Sequence, residues 1–217
     1  MPNPQTIVDQ LTLASNGAAV VAIAWHVVVA GAILGLLLGW RPSNRTAGVM
    51  LAGPIASAAG VALVFGNPFN GTILAALAVA LVVLALRLSP RPVALGSPTA
   101  RVVGALLVAF GAFYPHFLHH GTPLAYVYAA PTGVVPCPSL SLVIGFALLA
   151  DGLGSRAWSL TAAALGLFYG IFGVARLAVY LDIPLVLGAL ALLIAGMARR
   201  HPAPAPRSVR PRATVAT

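Results

Sequence analysis

Ala18-Ala-Val-Val-Ala-Ile-Ala-Trp-His-Val-Val-Val-Ala-Gly-Ala-Ile-Leu-Gly-Leu-Leu-Leu-Gly-Trp40 decides the fold. The run holds no Asp, Glu, Lys or Arg, and it exceeds the ~20 apolar residues that carry an α-helix across a hydrocarbon core of ~30 Å. Its only titratable side chain is His26. In lipid every backbone N–H and C=O must be satisfied within the segment, so such a run is a helix. Six further runs follow: Ala47–Phe65, Gly71–Leu88, Val102–Leu118, Pro138–Leu153, Ala157–Ala175 and Tyr180–Met197. The breaks between them carry Pro, Gly, Asn and Ser, as in Arg41-Pro42-Ser43-Asn44, Gly66-Asn67-Pro68 and Ser89-Pro90-Arg91-Pro92.

Composition agrees. Of 217 residues, 60% are hydrophobic and 7% charged, where a soluble domain carries about 25% charged residues. The expected fold is therefore all-α, a polytopic transmembrane helical bundle of about seven spans. Residues 1–17 form an outer N-terminal segment, 18–198 the bundle, and 199–217 an Arg- and Pro-rich cytoplasmic tail expected to be disordered. The N-terminal segment has Asp9 and no basic residue, so the first apolar run is expected to remain as a helix and not to act as a cleaved signal.

Charge placement sets the orientation. Every basic residue is Arg. With the N-terminus outside, Arg41, Arg45, Arg87, Arg91, Arg101, Arg156, Arg199, Arg200, Arg207, Arg210 and Arg212 fall on the inner side, and Arg176 alone falls outside. That is the positive-inside pattern. It also disposes of nucleic acid as a partner, because the arginines sit between apolar runs and in the tail and form no phosphate-binding face. The tail arginines are suited to anionic lipid headgroups. Glycines at four-residue spacing, Gly31-Gly35-Gly39 and Gly166-Gly170, are expected to let helices pack closely within the bundle, with a homo-oligomer as the other use of such a ridge.

Candidate chemistry gathers on the outer side. His116, His119 and His120 share one side of a helix if the fourth span continues that far, and neutral imidazoles bind divalent transition metals. His26 opposite His116 would instead offer axial ligands to a haem. Cys137, the only cysteine, stands between Pro136 and Pro138 at a helix start, where the helix dipole favours a thiolate; with the histidines it completes a candidate Cys/His metal set. Arg176 and Asp182 flank the turn before the last span and form a candidate ion pair tying two helices together. Against each stands a plain structural role: a hydrogen-bonded core histidine, an inert thiol, an interfacial pair.

Tyr114-Pro115, Ala130-Pro131-Thr132-Gly133, Pro136-Cys137-Pro138-Ser139 and Tyr180-Leu181-Asp182-Ile183-Pro184 together carry a resemblance. Over roughly its C-terminal half the chain resembles an uncharacterised family of bacterial multi-pass membrane proteins, catalogued only as a domain of unknown function. The resemblance implies a bacterial inner-membrane location and no particular reaction.

Several functions are excluded by absence. Without Lys there is no retinal Schiff base. Without Glu, and with three Asp, there is neither a paired-carboxylate site nor an acidic metal cage. No phosphate loop or dinucleotide fingerprint occurs. A non-enzymatic protein is expected, a permease-like carrier or an accessory subunit of a membrane complex. The alternative is a haem- or metal-binding redox protein using the outer histidines.

Overall fold

A computed structural model describes residues 3–118 and 122–198. Its helices are α1 (Pro4–Gly17), α2 (Ala19–Leu37), α3 (Asn44–Val64), α4 (Pro68–Leu86), α5 (Pro98–Phe113), α6 (Ala125–Ala129), α7 (Pro136–Leu149), α8 (Arg156–Leu177) and α9 (Ile183–Ala198), with 3-10 turns at Asp151–Gly154 and Tyr180–Asp182. The residues that break the apolar pattern are the helix caps. Ser43, Asn67, Ser97 and Ser155 each accept a hydrogen bond from a backbone N–H in the first turn of α3, α4, α5 and α8, satisfying donors that would otherwise be orphaned.

Five of these helices are long and apolar enough to cross a membrane: α2, α3, α4, α8, and α9 with its preceding 3-10 turn. The expected seven is therefore met only in part. At 16 and 14 residues, α5 and α7 rise only ~24 and ~21 Å at 1.5 Å per residue. Both are shaped by packing. Glycines let α5 and α7 touch backbone to backbone: a Cβ on Gly104 would meet the Gly145 carbonyl oxygen at 2.6 Å, and one on Gly145 would meet that of Gly104 at 2.7 Å. Helix α7 is the buried axis of the bundle, packed on α5, α8, α9 and α3.

Helix α1 departs from the sequence-based expectation, which places no helix in residues 1–17. Asn3 caps it and Pro4 opens it. Its face of Val8, Leu11 and Ala14 packs with Tyr114, Phe117 and Val134 over one end of the bundle. The glycine ridges also divide. Gly166 and Gly170 pack against Ala189 and Val186 of α9, as expected, whereas a Cβ added at Gly31 or Gly39 would have nothing within 4 Å. That part of the α2 ridge faces open space. Helix α2 joins the rest mainly through its first half, where Trp25 reaches Gly53 and Gly133.

The two ends of the bundle differ chemically. Arg41, Arg45, Arg87, Arg91, Arg101 and Arg156 occupy the end where α2 finishes and α3 begins. The opposite end gathers the start of α7, the start of α9 and the end of α5.

Candidate functional site

At that opposite end three side chains from distant parts of the chain meet. Tyr114 ends α5 and is fully buried; Asp182, in the turn before α9, is 2% exposed; Cys137 is the second residue of α7 and half-buried. The Tyr114 hydroxyl donates to Asp182 Oδ1 at 2.7 Å, and the Cys137 thiol donates to Oδ2 at 3.2 Å. Gly173 of α8 makes the space, since a Cβ there would collide with the Asp182 carboxylate. A carboxylate placed among apolar helices is costly unless hydrogen-bonded, and both of its oxygens here are.

The segment Ala130–Val135 leading to Cys137 is not helical, yet it is buried throughout. Irregular backbone persists in a buried setting only where protein groups satisfy it, and they do so here one by one. Thr132 Oγ1 donates to the Gly111 carbonyl at 2.7 Å, the Gly133 N–H donates to Ser139 Oγ at 2.9 Å, and Ser57 Oγ donates to the Gly133 carbonyl at 2.7 Å. Gly133 has φ +73° and lies against the Trp25 indole, so the turn needs glycine on two counts. A second polar pair links α8 to α4, with the Tyr169 hydroxyl donating to Asn70 Oδ1 at 3.2 Å.

The candidates read from the sequence separate. Asp182 and Cys137 converge, through a contact that the sequence alone leaves open. The thiol proton is directed at a carboxylate, an arrangement opposite to the thiolate expected of a helix start. Arg176 is exposed at the end of α8, and Asp182 turns inward to Tyr114 and Cys137, so the expected Arg176–Asp182 pairing gives way to a buried cluster. Local geometry explains it: α8 ends in a left-handed Ala178, φ +55°, which redirects the chain before Asp182.

His26 also lies differently from the haem reading. Its Nδ1 is 2.8 Å from the Ala22 carbonyl oxygen and its Nε2 is 2.7 Å from that of Ala112. Both nitrogens face backbone carbonyl oxygens. The residue is a crossbar between α2 and α5. His116 rests its ring on Phe117 at 4.2 Å and is half-buried. Among the described residues no group of three or more His, Cys, Asp or Glu side chains could hold a metal ion. His119, His120 and the tail arginines Arg199, Arg200, Arg207, Arg210 and Arg212 lie outside the described residues.

Sequence reasoning sees Tyr114 only as part of a motif and gives it no site role, although the Tyr114-Pro115 step marks where α5 must stop. It also misses Thr132, Ser139, Ser57 and Asn70, whose single polar atoms carry no spacing signal. Compared with known protein families, curated proteins and solved structures, the chain matches none.

Proposed function

We propose that the protein is a permease-like carrier of the bacterial cytoplasmic membrane, with the Tyr114–Cys137–Asp182 cluster as its solute site. The observation that carries this reading is a buried carboxylate that, among the described residues, meets a phenol and a thiol and no cation. Ionisable groups inside a membrane bundle mark solute or proton routes by default, and the irregular Ala130–Val135 segment beside Cys137 is the kind of backbone that membrane carriers place at a binding site. A carboxylate, a sulfur and a phenol oxygen suit a small cation. In this reading α5 and α7 complete their crossings through the buried segments that adjoin them. The seven spans then leave the N-terminus outside and the C-terminus in the cytoplasm, in line with the arginine-bearing end.

The test is uptake by vesicles reconstituted with full-length protein. Na⁺, K⁺, Mn²⁺, Co²⁺, Ni²⁺ and Zn²⁺ are offered in turn, and the trapped metal is measured by mass spectrometry after gel filtration. The wild type is expected to admit at least one cation above empty vesicles. Asp182→Asn is expected to lose about tenfold, the weight of one charge-assisted interaction of ~1.4 kcal/mol. Uptake at the level of empty vesicles across the whole panel would overturn the carrier reading in favour of an accessory subunit.

A further inference from the structure

The second half of α2 stands away from the bundle. From Val27 to Leu37 only Val29 is buried, because the helix is held at Trp25 and His26 and nowhere comparable beyond them. Between this half, α3 and α7 lies a cavity of about 130 Å³ whose lining is almost wholly apolar, with Ala32 and Leu36 of α2, Met50 and Pro54 of α3, and Phe146 of α7 among its walls. An open groove lined by apolar side chains suits a hydrocarbon chain, whose contact removes apolar surface without leaving polar groups unpaired.

The groove runs toward the arginine end and finishes at Trp40, Pro42 and Val93. There two loops are clasped together: the Asn44 N–H donates to the Arg91 carbonyl at 2.9 Å, the Val93 N–H donates to the Pro42 carbonyl at 3.0 Å, and Ser43 pairs with Pro92. The clasp sets Arg41 and Arg91, both exposed, beside the groove mouth. Arg41 is fixed there, since its Nη1 donates to the carbonyls of Leu36 at 2.9 Å and Trp40 at 3.1 Å, two residues of the groove wall. Every charged residue in and beside these two loops is an arginine: Arg41, Arg45, Arg87 and Arg91.

An apolar slot that ends in guanidinium groups matches a molecule with a hydrocarbon chain and an anionic head. We infer that the groove between α2, α3 and α7 binds an anionic phospholipid of the bilayer, an acyl chain lying along Ala32 and Phe146 and the phosphate held by Arg41 and Arg91. Guanidinium groups recognise phosphate with paired N–H donors. The seated chain fills the gap that would otherwise leave α2 with few side-chain contacts along half its length. This site is independent of the carrier reading and involves none of the cluster residues.

Native mass spectrometry of the full-length protein in mild detergent tests it, with phosphatidylglycerol and phosphatidylcholine as competing probes. The wild type is expected to retain phosphatidylglycerol preferentially. Arg41→Gln with Arg91→Gln is expected to lower that preference about thirtyfold, two arginines each attracting an anionic headgroup. Ala32→Phe, which fills the slot and leaves every arginine in place, is expected to abolish retention while melting no lower than the wild type. That variant separates the groove from the tail arginines. Equal retention of the two lipids by the wild type, or undiminished phosphatidylglycerol in Ala32→Phe, would overturn the inference. So would a wild-type dimer that carries no lipid and dissociates on Ala32→Phe, since the occupant would then be a second copy.

Discussion

Asp182 has two hydrogen bonds of unequal weight. The phenol of Tyr114 donates at 2.7 Å and the thiol of Cys137 at 3.2 Å; a hydroxyl is the stronger donor and a thiol a weak one. Tyr114→Phe removes a donor to a buried carboxylate and is expected to cost about 1–3 kcal/mol. Cys137→Ser keeps a donor in place and is expected to cost less than about 1 kcal/mol. Thermal unfolding of the two variants in the same detergent decides it, and equal losses would contradict the assignment of Tyr114 as the main partner. Two members of this cluster are visible in the sequence and the third is hidden. Cys137 and Asp182 stand out as rare residue types in an apolar chain. Tyr114 lies 68 positions from Asp182, and no local pattern links a tyrosine at the end of one helix to an aspartate at the start of another. Arg176, six positions before Asp182, looks the natural partner only because the left-handed turn at Ala178 has no sequence signature when the residue is not glycine.

At the scale of elements, hydropathy locates the long helices and the breaks between them, because an apolar run that spans lipid has one backbone solution. It cannot set the lengths of α5 and α7, which pack through glycine contacts that composition does not encode. Nor can it find α1, which is held by one apolar face, or the buried Ala130–Val135 segment, which reads as an ordinary Pro/Gly loop. Of the five long apolar helices α2 is the least buried, so its polar crossbar matters more than usual. His26→Leu removes the contact from Nε2 to the Ala112 carbonyl oxygen and is expected to cost about 1 kcal/mol. The local effect is the sharper readout. Hydrogen exchange in α2 should rise in the variant while exchange in α7 stays unchanged, and a uniform rise across both would mean that His26 supports the bundle as a whole.

Across the whole molecule the two ends differ chemically, with Arg41, Arg45, Arg87, Arg91, Arg101 and Arg156 at one and Asp182, Cys137, His116 and a single arginine, Arg176, at the other. If the arginine end faces the cytoplasm, a fluorescent protein fused after Thr217 should glow and an alkaline phosphatase fused there should be inactive; the reverse pair of results would invert the topology. Between these ends α7 is the shared neighbour, and the polar cluster draws one residue from each of α5, α7 and the approach to α9. That order has a consequence for biogenesis. Synthesis delivers Tyr114 first, then Cys137, and Asp182 only with the last hairpin. A chain interrupted before Asp182 therefore holds two donors without their acceptor inside an apolar assembly, an unsatisfied pair that is costly away from water. The carboxylate that arrives last is thus the group that satisfies both donors at once.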